Sequence, residues 1–160
     1  MKLTNVQEEY LKTIYLLQLD EGKSKLTDIA EKLNKSKASV NSAINNLVEL
    51  GLVNNEKYGP IVLTDQGKSE AKKIVAANDI VMLFLTDVIG IDKEKASEEA
   101  QGIKTILSDE SLNKLARYTY KELGLTPKEC GYNINNEKCF QCGVSLKAKT
   151  LMKKGENYGE

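Results

Sequence analysis

Three cysteines near the carboxyl end are the residues most able to carry chemistry in this chain. Cys130, Cys139 and Cys142 follow the spacing C-x8-C-x2-C, and the last two belong to a C-x-x-C-G turn. In such a turn two thiolates can converge on one ion, backbone N–H groups point at the sulfurs, and the glycine allows the bend. The pattern predicts a metal or redox centre at these residues, with zinc or an iron–sulfur cluster as candidate cofactor.

The remaining ligand of such a centre is not evident from the sequence. Four-coordinate zinc needs another donor, and the chain contains no histidine. Glu129, Glu137, a water or a cysteine of a partner subunit are open alternatives. Three thiolates also suit an iron–sulfur cluster with one open iron, or a trigonal soft ion such as As(III). A reversible Cys139–Cys142 disulfide is a further alternative, and an exposed tail with incidental cysteines needs no chemistry.

The elements that could position a reading surface lie earlier, within residues 25–63. The spacing of apolar residues predicts a helix over Leu26–Leu33, a second helix from Lys37 or Ala38 to Leu50, and two short strands over 52–54 and 60–63. A hairpin that directly follows a helix-turn-helix is a winged helix. This unit places its second helix in the major groove of DNA, so the segment predicts DNA binding.

The second helix of this segment has two different faces. Val40, Ile44, Leu47 and Val48 recur at helical spacing and predict a buried face. The other face is small and polar, as expected of a helix that forms hydrogen bonds to DNA, and it consists of Lys37, Ser39, Asn41, Ser42, Asn45 and Asn46.

Net charge gives no general sign of nucleic-acid binding. The 160 residues include 23 basic and 23 acidic side chains, so any field that attracts DNA must be local. Its expected sources are Lys32, Lys35, Lys37, Lys57 and Lys68.

Arginine is nearly absent, since Arg117 is the single arginine among the basic residues. The codon bias of an A·T-rich genome explains this composition. It nevertheless leaves the second helix without an arginine to bind guanine, whereas Asn41 and Asn45 can pair with adenine. We therefore expect an operator that leans toward A·T pairs.

Four more helices are expected around this segment. One runs over about 6–19, with Asn5 and Glu8 as a capping box, and a long helix runs from Asp65 to about Ile89. Asp92 caps the next helix, and Ser108 or Asp109 caps the last one. Thr27 or Ser24 is the expected N-cap of the Leu26–Leu33 helix.

The chain is thus predicted to be mainly α-helical with a small β-hairpin wing. Residues 1–75 form a winged helix-turn-helix DNA-binding domain, 76–126 a helical dimerisation domain, and 127–160 a cysteine-containing tail. Residues 80–89 are apolar on nearly all sides of the long helix, which predicts that a second copy covers them in a homodimer. The alternative is an internal three-helix core within a monomer.

Several other classes are disfavoured. The longest apolar run, Ile80–Leu85, is far too short to span a bilayer, and the amino end does not read as a signal peptide. We therefore expect a cytoplasmic protein without a membrane partner, where a disulfide framework is not expected. An enzyme is not expected either, because the sequence has no histidine, no G-x-S-x-G and no phosphate loop.

The sequence also resembles a known family. The segments EEYLKTIYLLQ, LTDIAEKLNKSKASVNSAINNLVELGLV, IVLTDQGKSEAKKI, FLTDVIGID and ILSDES are similar to metal-dependent repressors of the diphtheria-toxin-repressor and manganese-transport-regulator type, over about residues 6–123. The resemblance implies a homodimeric repressor that binds double-stranded DNA at a palindromic operator, with Fe or Mn as co-repressor. By position it implies phosphate contacts near Lys35, Ser36, Ser39 and Asn41, and base contacts near Ala38 and Ser42.

The metal ligands of that family do not carry over. The family draws them from the first helix, the long helix and the helix after it, with histidines on the last two. Here Asn78 takes the long-helix position, and the next helix reads QGIKT over 101–105. The Lys104 ammonium repels a divalent cation, and on the first helix Glu9 is followed by Lys12. These replacements at the family's ligand positions imply that no Fe or Mn site remains.

We therefore expect a sequence-specific transcriptional repressor whose input has moved to Cys130, Cys139 and Cys142. The alternative is a metal-trafficking or redox module that keeps the fold without specific operator binding. The two differ in salt dependence, because non-specific DNA binding collapses at physiological salt.

Overall fold

The computed structural model describes residues 3–56, 59–125 and 130–154. The chain forms two compact units, Met1–Val75 and Ala76–Glu160. Each has its own apolar core, as expected for units of this size.

The first unit is a helix-turn-helix followed by a β-hairpin. Its elements are α1 (Asn5–Glu21), α2 (Leu26–Leu33), α3 (Lys37–Glu49), β1 (Val53–Asn55) and β2 (Ile61–Leu63). The two strands pair antiparallel, with Val53 opposite Leu63 and Asn55 opposite Ile61. The prediction of a mainly helical chain with a small hairpin wing is confirmed.

The helix caps differ from the predicted ones by one or two positions. Thr4, not Asn5, caps α1: the Gln7 N–H donates to Thr4 Oγ1 at 3.3 Å, and Gln7 Oε1 accepts the Thr4 N–H at 2.8 Å. Lys25 is the N-cap of α2, and its N–H donates to the carboxylate of Asp28 at 3.0 Å. Asp28 thus satisfies a donor at the helix start that the expected serine or threonine cap does not reach.

Ser24, one of the expected caps, instead extends the wing. It forms an isolated antiparallel bridge with Ile61 and is fully buried. The carbonyl oxygen of Ile61 accepts hydrogen bonds from Ser24 Oγ at 2.8 Å and Gln18 Nε2 at 2.9 Å. Hydrogen bonds therefore join the hairpin to the end of α1 and to the residues after it.

The second unit is helical. Its elements are the carboxyl half of α4 (Asp65–Leu83), a π-helical segment (Phe84–Ile89), α5 (Lys93–Ile106), α6 (Asp109–Glu122), α7 (Glu137–Gln141) and α8 (Gly143–Lys154). Asp92 and Ser108 cap α5 and α6, as predicted. Among the described residues, no helix is long and apolar enough to cross a membrane.

The long predicted helix departs from α geometry at Phe84. The hydroxyl of Thr86 donates to the Met82 carbonyl oxygen at 3.0 Å and competes there with the backbone. The following turn is wider and ends at Gly90, whose φ of 82° is in the left-handed region. The sequence around Thr86 alone does not reveal such a change in helix geometry.

Several of residues 130–154 pack into the core of the second unit. Tyr132, Ile134 and Ala148 are buried there together with residues of α4, α5 and α6. The Ile134 N–H donates to the side-chain oxygen of Asn113 on α6 at 2.8 Å, and the Asn135 amide donates to the carboxylate of Asp109 at 2.9 Å. These contacts hold the cysteine-containing segment against α6.

Candidate nucleic-acid interface and cysteine cluster

The exposed face of α3 is the first candidate site. Val40, Ile44 and Leu47 have no exposed area and anchor the helix in the core of the first unit. Val48 is 39% exposed, so its expected burial is wrong: it lies at the edge of the buried face, beside Leu47. The predicted DNA-binding side chains of the helix are all exposed, and they are Lys37, Ala38, Ser39, Asn41, Ser42 and Asn45.

The turn before α3 is fixed by its backbone. Asn34 ends α2 at φ 51°, a left-handed conformation that asparagine tolerates better than most residues. The Lys35 N–H then donates to the Ala30 carbonyl oxygen at 2.9 Å. Lys35 and Lys37 are both exposed here, so two cations flank a helix N-terminus, which favours phosphate.

Ser36 and Ser39 are engaged with each other at this helix start. Ser36 is the N-cap of α3 and accepts the Ser39 N–H at 3.2 Å, and the two hydroxyl oxygens lie 2.9 Å apart. One hydroxyl can therefore still present a lone pair or a proton outward. Lys57, the predicted contact in the wing, lies outside the described residues.

One residue of this surface was missed by sequence reasoning. Gln7 Nε2 on α1 donates to Asn46 Oδ1 on α3 at 2.6 Å. The T-x-x-Q pattern of a capping box could have located Gln7 at the start of α1, but its contact with Asn46 joins residues 39 positions apart. No local pattern reports such a contact.

The second candidate site is the cysteine-containing segment of the second unit. Cys130 and Cys139 pack against its core, and all three thiols are free and half-buried. Cys139 Sγ accepts the Asn133 N–H at 3.4 Å, and Cys142 Sγ donates to the Cys139 carbonyl oxygen at 3.4 Å. The predicted cysteines therefore lie on an ordered part of the fold, against α6.

Two buried tyrosines bring the three thiols into one neighbourhood. The rings of Tyr120 and Tyr132 meet edge to face, with centroids 5.7 Å apart. The pKa of Tyr120 is raised well above its ordinary value by burial and by the negative charges of Cys142, Asp79, Cys130 and Cys139. We call the three thiols, the two phenols and Asp79 the cysteine cluster.

The second phenol has the same neighbours. The pKa of Tyr132 is raised by burial and then by Tyr120, Cys139, Asp79 and Cys142. No sequence pattern indicates Asp79 or either tyrosine in this role, since they come from α4, α6 and the segment before α7. Only the tertiary structure brings these distant residues together.

Two family profiles cover most of the chain. The iron dependent repressor N-terminal DNA binding domain matches residues 2–61, and the iron dependent repressor metal binding and dimerisation domain matches residues 64–130. The chain belongs to the iron-dependent repressor family.

Individual relatives agree with this assignment. An uncharacterised helix-turn-helix transcriptional regulator of Methanocaldococcus jannaschii is 38% identical over 115 residues, 71% of this chain and 92% of that protein. The transcriptional regulator MntR of Bacillus subtilis is 33% identical over 112 residues, 70% of this chain and 78% of that protein. The relatives are transcriptional regulators, with no enzyme among these two.

The fold agrees as well. The crystal structure of IdeR of T. acidophilum matches with a TM-score of 0.62 and 31% identity, over 78% of this chain. The match covers 55% of that solved chain, so this repressor spans little more than half of its length. The carboxyl-terminal cysteines lie beyond the family profiles, except for Cys130 at their edge.

The region that matches the metal binding and dimerisation domain holds unusual side chains. Lys104 on α5 is only 6% exposed, on the same buried stripe as Ala96 and Ala100. Thr105 Oγ1 donates to the Gly102 carbonyl oxygen at 2.7 Å. Within the described ranges, no group of three or more His, Cys, Asp or Glu side chains is arranged to hold a metal ion.

Proposed function

We propose that this chain is a homodimeric transcriptional repressor that reads a palindromic operator with α3. The observation that carries the proposal is the exposed, mostly polar face of α3 within a matched DNA-binding domain. Two-fold dimers bind two half-sites about one helical turn apart, and the second unit matches a dimerisation domain.

The proposed contacts divide into two groups. Lys35, Ser36, Ser39, Asn41 and Lys57 contact phosphates and set the register, whereas Ala38, Ser42 and Asn45 face base edges. Lys37 adds charge at the helix start. Asparagine pairs with adenine through N6 and N7, and the alanine side chain suits a thymine methyl group. These preferences support an operator rich in A·T pairs.

We also propose that the regulatory Fe or Mn site of the family is absent from this chain. The support comes from residue chemistry. Divalent first-row metals prefer imidazole, thiolate or several converging carboxylates, and the matching positions carry Asn78, Gln101, Lys104 and Thr105. An ammonium buried on α5 occupies a place where a second cation is unfavourable. The residues present do not fit the metal.

We propose that the cysteine cluster is instead the input of the regulator, meaning the site that senses its signal. Its thiols respond either to a thiophilic ion or to oxidation, and Cys130 and Cys139 pack against the core of the second unit, which matches the dimerisation domain. The alternative, a metal-trafficking or redox module without operator binding, needs the same thiols but no polar recognition face.

The test is operator selection from random duplex DNA, followed by affinity measurements at several salt concentrations. We expect a palindromic, A·T-rich site bound with a dissociation constant of about 10⁻⁸ M or lower at physiological salt. Neither Mn²⁺, Fe²⁺ nor a chelator should change this affinity. Asn45→Ala should cost about 1–3 kcal/mol and relax selection at one base pair.

The matched control is Gln66→Ala, an exposed polar residue at the start of α4. It should leave the affinity unchanged. Failure to select any site, with binding that disappears at physiological salt, would support the trafficking or redox module. A gain in affinity with Mn²⁺ that persists in a triple Cys→Ser variant would show that the family site is retained.

A further inference from the structure

The pair Cys139 and Cys142 is placed for a covalent modification. We propose that peroxide oxidises these two thiols to an intramolecular disulfide, with Cys130 outside the bond. The inference rests on the proposed role of the cysteine cluster as the input, and it names the chemistry of that input.

Cys139 and Cys142 are separated by only two residues. Cys139 lies in the single helical turn α7, and Cys142 follows its end with an extended ψ of 152°. Residues three positions apart along a helix are neighbours on its surface, and disulfides join Cα atoms about 4.4–6.8 Å apart. Cys142 Sγ donates to the carbonyl oxygen of Cys139 at 3.4 Å, so its sulfur lies beside the backbone of the other cysteine.

The Asn133 N–H donates to Cys139 Sγ at 3.4 Å and fixes this sulfur at the edge of the segment. Asn133 is exposed and both cysteines are half-buried, so part of each residue is open to a molecule as small as peroxide. A hydrogen bond to sulfur also supports the charge that sulfur carries during attack.

The arrangement favours oxidation over ion binding. A single ion needs at least three donors that converge on one point, and no such group exists in the described part of the chain. A disulfide needs only two sulfurs from one turn. Cys130 lies nine residues before Cys139, outside this turn, and the proposed bond therefore leaves it out.

The chemistry balances with peroxide as the oxidant. The Cys139 thiolate attacks one peroxide oxygen, the O–O bond breaks, and hydroxide leaves a sulfenic acid on sulfur. The Cys142 thiolate then attacks this sulfur, the S–O bond breaks, and a second hydroxide leaves as the S–S bond forms. The two thiol protons convert the hydroxides to water, and two electrons pass from the thiols to peroxide.

The test uses the full chain, reduced and then treated with hydrogen peroxide. We expect an intact mass lower by two hydrogen atoms and, after proteolysis without reductant, a peptide link between Cys139 and Cys142. Cys142→Ser should stop at a sulfenic acid that dimedone traps. Cys130→Ser, the matched control, should form the same link as the unmodified chain.

Several results would overturn the inference. They are a link that includes Cys130, dimedone trapping that is equal with and without Cys142, and stoichiometric Zn²⁺ bound to the reduced chain that prevents oxidation. Operator affinity is measured separately on the reduced and oxidised chains, with an expected change of at least about fivefold. A disulfide that forms without this change contradicts the cysteine input and leaves the modification site standing.

Discussion

Gln7 and Asn46 join α1 to the recognition helix through a single short hydrogen bond. Gln7 Nε2 donates to Asn46 Oδ1 at 2.6 Å, while Gln7 Oε1 accepts the Thr4 N–H. Because the carbonyl end of Asn46 is occupied, its amino group faces away from Gln7. The Gln7 side chain therefore completes the capping box of α1. It also orients the amide N–H groups of Asn46 on the proposed DNA-binding face.

Replacing Gln7 should test both roles. We expect Gln7→Ala to lower the free energy of unfolding by about 1–2 kcal/mol, since a capping acceptor and a side-chain hydrogen bond are lost. Operator affinity should fall as well, because Asn46 is no longer oriented. The measurements are urea unfolding and operator binding on the same preparation.

Gln7→Glu is the matched variant. Its carboxylate still accepts the Thr4 N–H, and Asn46 can turn its amide to donate to it. We expect stability within about 0.5 kcal/mol of the unmodified chain but an altered operator affinity, since the outward group of Asn46 is then its oxygen. An unchanged affinity in both variants would show that Asn46 does not need this orientation.

Gly67 is the position where a single methyl group should do most harm to the first unit. It is buried at the start of α4, and a Cβ there would collide with the backbone carbonyl oxygen of Leu52. That oxygen also accepts the Thr64 N–H at 3.0 Å, so it cannot shift freely. We expect Gly67→Ala to destabilise by about 1–3 kcal/mol or more, measured by denaturant unfolding.

Gly102 provides the matched control for this substitution. It lies on the exposed face of α5, and a Cβ there meets nothing within 4 Å. Gly102→Ala should stabilise by about 0.5–1 kcal/mol, because alanine loses less backbone entropy in a helix. Equal effects of the two substitutions would contradict the close approach of α4 to Leu52.

The helices and the hairpin can be predicted from the sequence because their signals are local. Val40, Ile44 and Leu47 report the buried face of α3 through a period of 3.6 residues. The sequence predicts the capping box of α1 at Asn5 and Glu8, whereas the structure has it at Thr4 and Gln7. The two patterns overlap, and only the residue at which the helix begins distinguishes them.

The cysteine cluster shows the opposite case. Cys139 and Cys142 were found from their spacing, but Asp79, Tyr120 and Tyr132 come from segments that meet only after folding. Their residue types are ordinary for a helical core. The identity of such a neighbourhood depends on tertiary packing, so no window of sequence contains it.

Lys35 and Lys37 should contribute to operator binding through phosphates and not through bases. Each phosphate contact that is removed lowers the slope of log affinity against log salt by about 0.9. We expect Lys35→Gln with Lys37→Gln to reduce the slope by about 2 and to weaken all DNA sequences alike. The measurement is fluorescence anisotropy with duplex DNA over a salt series.

Two exposed lysines of α8 make the matched control. Lys147→Gln with Lys149→Gln removes the same charge from the second unit. This pair should leave the slope unchanged. A loss of selectivity at one base pair in the α3 variant would instead assign a lysine to base contact.

Tyr120 should make the second unit sensitive to alkali. Burial and then the charges of Cys142, Asp79, Cys130 and Cys139 raise its pKa well above the ordinary 10.0. Above pH 10.0 the unfolded chain releases this phenol proton while the folded chain retains it. The free energy of unfolding therefore falls as pH rises, by up to about 1.4 kcal/mol per pH unit for one such group.

Tyr120→Phe should remove this contribution, so the decline of stability above pH 10.0 becomes shallower. Tyr118→Phe is the matched control, because Tyr118 lies on the same helix and is 51% exposed; its alkaline decline should equal that of the unmodified chain. The measurement is urea unfolding at a series of pH values under reducing conditions. Equal slopes for the two variants would contradict the placement of the Tyr120 hydroxyl among buried anionic groups, since only a phenol in that position holds its proton above pH 10.0.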